Sequence, residues 1–218
     1  MKTAPLIIAL TGRPNVGKDT VAEILSPAHA FNRIAFADKL RAEVAEAWRI
    51  DLRMLTDRAT KEWPLPALSV GMCSDTAFIR WMAAAEENLT EPRSARWILQ
   101  QWADFQRRLM PDYYAMVVAR QLGRWIGLGR CRAVVTDLRF DVELQMLRSL
   151  GAHIVRVHRP DATALPAETA QHNSELHHLI PADHDLVNDG SLIQLGESVL
   201  ELVARIEGRE VVMEGGAA

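Results

Sequence analysis

A short apolar run that stops at a glycine and resumes as a lysine-led amphipathic segment constrains this chain more than any other feature. Leu6, Ile7, Ile8, Ala9 and Leu10 read as a fully buried strand. Gly12-Arg13-Pro14-Asn15-Val16-Gly17-Lys18-Asp19-Thr20 follows, and Val21, Ala22, Ile24 and Leu25 then recur at helical spacing. Strand, glycine-bounded loop, lysine and helix is the context a phosphate-binding loop requires. Gly12 and Gly17 let the backbone curl so that successive N–H groups converge on an anion. The helix adds its positive dipole end at the same place, and Lys18 can reach the outer phosphates of a nucleotide. The residue directly after the lysine, usually Ser or Thr for a magnesium-facing hydroxyl, is Asp19, with Thr20 next.

Composition bounds the setting. At 218 residues the chain suits one sizeable α/β domain with an accessory lobe, and 49% hydrophobic with 24% charged residues predicts an ordinary packed core. A net charge of −3 argues against a broad nucleic-acid surface. No apolar stretch approaches the ~18 residues of a membrane span, and no signal-peptide pattern opens the chain, so a cytoplasmic protein with reduced thiols is expected. Cys73 and Cys131 form no Cys-x-x-Cys pair, which predicts neither a disulfide framework nor a zinc knuckle. Neither oligomeric state nor a nucleic-acid polymer partner is indicated; a homodimer stays open.

Further along, Phe31 to Ala37 reads as a second strand, with Asp38 capping a helix whose Leu40, Val44, Ala47 and Trp48 face the core and whose Lys39, Arg41, Glu43 and Glu46 face out. Asp38, Lys39 and Arg41 then lie at a strand mouth, where open α/β sheets bind ligands, or simply on a solvated helix. A helix-rich insertion follows, over about 50–128. After Ser94, at ~100° per residue, Ala95, Ile98, Trp102, Phe105 and Leu109 share one arc and Arg93, Arg96, Gln100, Asp104 and Arg107 the opposite one. The polar stripe reads either as a ligand wall or as a solvated face with an Asp104–Arg107 pair. Ala133, Val134 and Val135 make a buried strand with Asp137 at its carboxyl end, a place that suits an acid orienting magnesium or its waters, and Arg139 follows. His153 to His158 is a further strand, then a segment from 159 to about 173 rich in Ala, Thr and Pro reads as a lid. The histidines at 172, 177, 178 and 184 make no recognisable metal set. Asp185 to Asn188 gives a last strand, Leu192 to Ile206 an amphipathic helix, and 209–218 a flexible tail. The alternation predicts a three-layer α/β/α phosphate-loop fold with a mostly parallel sheet, one domain over 1–208, a helical insertion and a lid.

Two function classes compete. The letters GRPNVGK look like the first motif of bacterial GTPases, but a GTP-dependent switch needs Asp-x-x-Gly and Asn-Lys-x-Asp at its strand ends. Asp137 is followed by Leu-Arg-Phe and Asn188 by Asp-Gly-Ser, so a small-molecule kinase is favoured. The spacing G-x-P-x-x-G-K-x-T is similar to that of nucleoside monophosphate kinases. Gly12 through Thr20, Phe36-Ala37-Asp38-Lys39-Leu40, Leu99-Gln100-Gln101-Trp102 with Arg107-Arg108, Thr136-Asp137-Leu138-Arg139-Phe140, His172-Asn173-Ser174-Glu175 and Asn188-Asp189-Gly190-Ser191 occur in that order. The set resembles the deoxynucleoside monophosphate kinases of bacteriophages and their bacterial relatives, over roughly residues 6 to 205. Ala103-Asp104 stands where that family commonly has Gly-Thr. Kinases of phosphomevalonate and dephospho-coenzyme A share the loop and architecture.

That resemblance implies ATP and magnesium as cofactors and a deoxynucleoside 5'-monophosphate as acceptor. Gly12, Arg13, Asn15, Val16, Gly17, Lys18, Asp19 and Thr20 would hold the ATP phosphates, with Asn188 near the adenine. Thr20 and Asp137 would organise magnesium through water. Asp38, Lys39 and Arg41 would border the acceptor, with Arg96, Gln100 and Arg107 along its far wall. Lys18 would act on the transferred group, Arg139 would bind and neutralise the acceptor phosphate or the moving phosphoryl, and Arg159 would approach from the lid.

Overall fold

The computed structural model describes residues 5–26, 29–57, 61–130, 132–160 and 180–208. The expected lid beyond Pro160, the segment His172 to Glu175, the histidines at 177 and 178, Cys131 and the tail 209–218 lie outside the described residues.

The apolar run forms strand β1 (Leu6–Thr11) and the lysine opens helix α1 (Lys18–Leu25). The chain continues through β2 (Asn32–Ile34), α2 (Phe36–Trp48), α3 (Arg53–Thr56), two 3-10 turns, α4 (Thr76–Ala84), α5 (Ala95–Leu109) and α6 (Tyr113–Gly127). It then runs through β3 (Arg132–Val135), α7 (Asp141–Ser149), β4 (His153–His158), β5 (His184–Val187) and α8 (Leu192–Ile206). Two compact units result: Met1–Ala35 with Val118–Ala218, and Phe36–Val117.

The first unit holds a five-stranded, all-parallel sheet in the order β2-β3-β1-β4-β5, with helices on both sides. Its strands read as near-continuous hydrophobic runs because both faces are covered. Leu6, Ile8, Leu10, Val134, Val155, Val157 and Leu186 share one face and pack against Val21, Ala22 and Leu25 of α1 and Leu195, Val199, Leu202 and Val203 of α8. The alternate residues Ile7, Ala9, Ala133, Val135 and Ile154 are as deeply buried on the other face, as the two-residue period of a strand demands.

The second unit is helical, and its core is aromatic. Trp48 of α2, Phe78 of α4, and Trp102 and Phe105 of α5 stack with ring centroids 5.2–6.0 Å apart, Trp81 joining at the edge. Such offset and edge-on geometries add to the area they bury. The Trp48 indole donates to the Ser69 carbonyl at 2.9 Å, so its polar end is satisfied. Asp75 caps α4 by accepting from the Ala77 and Phe78 amides.

Three local expectations change. The second strand stops at Ile34 and α2 begins at Phe36, so Asp38 lies within the first helical turn instead of capping it. The run Phe31 to Ala37 is apolar in either state, and only the last ladder bond, Thr136 N–H to the Ile34 carbonyl at 3.1 Å, marks the end of the strand. Glu43 turns inward, for a reason given below. Leu109 belongs to the apolar arc of α5 but is 68% exposed at the helix end.

Candidate phosphate-binding site

In the first unit the loop after β1 owes its path to residues that tolerate left-handed backbone. Gly12 has φ +128°, and a side chain there would run into the Val157 carbonyl of β4. Asn15 has φ +63°, in the region where Asn is tolerated. Gly17 has φ +103°, precedes α1, and packs so closely on the Asn188 amide that a Cβ would strike it. Val16 is buried in the core shared with α1 and α8, which pins the middle of the loop.

Lys18 is the first residue of α1. Its ammonium folds back and donates to the Gly12 and Arg13 carbonyls, both at 2.7 Å, and so is held over the loop. The Arg13 side chain is exposed on the outside. Asp19 meets Arg33 of β2 at 3.4 Å, with side chains 47% and 41% exposed, a solvent-facing pair worth little stability by itself. Thr20 follows, half-buried, in the same helical turn.

The neighbouring strand end is threaded between two partners. Thr136 donates to Ile34 at the end of β2, and Leu138 donates to Leu10 of β1 at 3.1 Å. Asp137 lies between these two anchors, and Arg139 follows them. Because every strand is parallel, the carboxyl ends of β1, β3, β4 and β5 share one edge of the sheet. Lys18, Asp137, Arg139, Arg159 (exposed, just past β4) and Asn188 (just past β5) therefore all belong to that edge, where open α/β sheets take ligands.

No family model matches the sequence, and no curated protein matches it. Solved structures do. TT1252 from Thermus thermophilus superposes with a TM-score of 0.51 at 19% identity, covering 94% of this chain and 98% of that one. Dephospho-CoA kinase from Campylobacter jejuni gives 0.52 at 15% identity, covering 93% and 97%. At these identities the likeness is one of fold, and it takes in nearly the whole of each chain. The fold is that of a P-loop kinase.

Two residues brace this edge of the sheet, one expected near the adenine and one given no role by the sequence. Asn188, expected near an adenine, is buried and commits its amide to the loop: its Nδ2 donates to the Val16 carbonyl at 2.8 Å, while its backbone N–H bonds His158 at 2.7 Å. Nothing in the local sequence signals a bond to a residue 172 positions away. Glu143, only 3% exposed, accepts from the Arg139 and Phe140 amides at 3.0 and 3.2 Å and so fixes the turn that carries Arg139. A signal for it existed: a glutamate at the third position of a helix commonly reaches back to the amide before the helix. Phe140 offers no side-chain oxygen in return, so only half of that motif is written here.

The expected acceptor-binding residues other than Arg139 form a second set, in the helical unit. Arg41 bonds Asp38 at 3.2 Å and Lys39 bonds Glu43 at 3.2 Å along α2. On α5, Arg96 donates to Glu62 at 2.6 Å with its side chain 18% exposed, Gln100 is half-buried, and Arg107 lies 3.9 Å from Asp104 and 5.6 Å from the centre of the Tyr114 ring. Arg93 has a structural task, held by Glu87 and Glu91 at 2.6 and 2.9 Å and stacked on Trp97.

Glu43 departs most from its expected outward position. Its Oε1 accepts from the Tyr113 hydroxyl at 2.5 Å and its Oε2 from the Tyr114 hydroxyl and the Trp102 indole, each at 3.2 Å. Burial raises the Tyr113 hydroxyl pKa to about 12, helped by its bond to this carboxylate. Tyr114 is raised further still by burial and the charge of Glu43. Both therefore remain donors at any physiological pH. A charge on a helix reads as outward by periodicity, and only three donors on two other helices turn this one in.

Proposed function

We propose that this protein transfers the γ-phosphoryl group of ATP to a deoxynucleoside 5'-monophosphate, giving the diphosphate and ADP. The observation that carries the kinase part is the loop itself: left-handed Gly12 and Gly17, and Lys18 at the start of a helix held over the Gly12 and Arg13 carbonyls. Such a loop binds phosphates through backbone N–H groups and a mobile cation. The ordered motifs shared with phage-type kinases, and the cations Lys39, Arg41, Arg96 and Arg107 on α2 and α5, support a phosphorylated acceptor.

Little covalent chemistry falls to the protein in such a transfer, so placed positive charge is the catalyst. Lys18 would leave the loop carbonyls for the transferred group. Arg139, its backbone fixed by Glu143, would neutralise charge on the acceptor phosphate or the moving phosphoryl, and Arg159 would approach from beyond β4. The Thr20 hydroxyl and Asp137 carboxylate are hard oxygen donors of the kind magnesium takes, largely through water. When bound, the ion would offset negative charge on the phosphates. A phosphate acceptor is already ionised and needs no general base.

A second reading has an observation of its own: the likeness to dephospho-CoA kinase over nearly the whole chain supports dephospho-CoA as the acceptor. An acceptor panel decides between them. Purified protein with ATP and magnesium is expected to turn over at least one deoxynucleoside monophosphate. Turnover of dephospho-CoA alone would replace the acceptor and keep the kinase, and GTP hydrolysis with no acceptor would overturn both.

A further inference from the structure

The carboxylate of Glu43 is engaged beyond what a single ion pair requires. It accepts three hydrogen bonds, from Tyr113 on one oxygen and from Tyr114 and Trp102 on the other, and the Lys39 ammonium pairs with the first oxygen at 3.2 Å. These partners come from α2, α5 and α6, and the Glu43 side chain is only 11% exposed while Lys39 remains 41% exposed. The Tyr114 ring, held from its hydroxyl end, lies beneath the Arg107 guanidinium. One half-buried carboxylate thus pairs with a half-exposed lysine on α2 and holds the ring that lies beneath an arginine of α5.

We propose that Glu43 is a positioning residue for acceptor recognition, orienting Lys39 for an anionic acceptor before it arrives. The inference rests on the acceptor reading above and adds to it the group that sets the geometry. A lysine loses much rotamer freedom when it is fixed against an anion. Held by Glu43 on its own helix, Lys39 has given up part of that freedom already, and an ammonium with three donors can keep one bond to the carboxylate while offering the others. In this it differs from the solvent-facing pairs Asp38–Arg41 and Asp104–Arg107, whose carboxylates are 46% and 45% exposed.

The test is a double-mutant cycle in the full-length protein with Glu43→Gln and Lys39→Ala, using the deoxynucleoside monophosphate found by the acceptor panel. Glutamine keeps the size and one acceptor oxygen but loses the charge and two acceptor positions. Glu43→Gln is expected to raise the acceptor KM about tenfold, to leave the KM for ATP unchanged, and to add little once Lys39 is already Ala. An acceptor KM within twofold of the parent, a fall in it, or an equal effect in the Lys39→Ala background would overturn the proposal, leaving Glu43 a structural clamp. A lowered melting temperature with unchanged acceptor KM would do the same. If Lys39→Ala leaves the acceptor KM unchanged while turnover proceeds, the acceptor reading at α2 fails first, and this inference with it. If Glu43→Gln does not fold, Tyr113→Phe, which removes one donor to the same oxygen, takes its place, with the same split between the two KM values expected in milder form.

Discussion

The two compact units solve the burial problem by different chemistry. In the sheet unit, aliphatic side chains from parallel strands and two covering helices interdigitate, and the polar groups that matter are at the strand ends. In the helical unit, stacked Trp and Phe rings make the centre, and a carboxylate is drawn inward to satisfy an indole and two phenols. An aliphatic core needs only shape, whereas Trp and Tyr bring N–H and O–H groups that must find acceptors when buried. Each unit therefore takes in a carboxylate for a different kind of partner: Glu143 of the sheet unit serves backbone amides just past β3, and Glu43 of the helical unit serves side-chain donors.

The sharpest way to break the comparison is in the aromatic layer. Phe78 is fully buried and touches Trp48, Trp81, Trp102 and Phe105, so Phe78→Ala is expected to cost about 3–5 kcal/mol in urea unfolding. A loss below about 1 kcal/mol would mean that the rings do not hold the unit together.

Lys18→Ala tests the opposite property of the sheet unit, a site whose key cation contributes to chemistry more than to folding. Its partners are carbonyls at the loop surface, so the melting temperature should stay within a few degrees while turnover drops at least a hundredfold, roughly 3 kcal/mol or more in transition-state stabilisation. Unchanged turnover would remove Lys18 from the reaction.

Asn188→Ala leaves the Val16 carbonyl without its buried donor. It should destabilise by about 1–3 kcal/mol and raise the KM for ATP together, because one bond serves both the fold and the loop. A stability loss with ATP binding intact would show that the loop holds its shape unaided.

The smallest effect is at the start of β5. Burial alone would raise the Asp183 carboxyl, but bonds from the Ile154 amide at 2.8 Å and Arg148 at 2.9 Å outweigh it and hold its pKa below the ordinary aspartate value. A depressed carboxyl stabilises the fold above its unfolded pKa and loses that contribution as pH falls through the folded value. Asp183→Asn should accordingly narrow the stability difference between pH 6 and pH 3. An acid-unfolding profile identical to that of the parent would exclude the residue as a contributor.

Much of the architecture was legible in the chain because its signals are local. A five-residue aliphatic run, two glycines and a lysine specify strand, loop and helix within twenty positions, and the strand expected from His153 to His158 has those bounds. The apolar arc of α5 was read to within one residue, Leu109, which lies where the helix runs out of partners. The site was less legible. Lys18 and Asp137 stand in motifs, but the support beneath them does not: Asn188 reaches its loop only after the sheet has ordered its strands, and the inward turn of Glu43 exists only where three helices meet.

By itself the sequence determined the alternation of strands and helices and the left-handed loop around Gly12 and Gly17, because propensity, periodicity and the freedom of a missing Cβ act over a few residues. Tertiary structure decided the strand order that brings Asn188 to Val16, the end of β2 at Ile34, and the inward turn of Glu43. Each of those depends on a hydrogen-bond partner supplied from a distant part of the chain, and a buried polar group goes where its partner is.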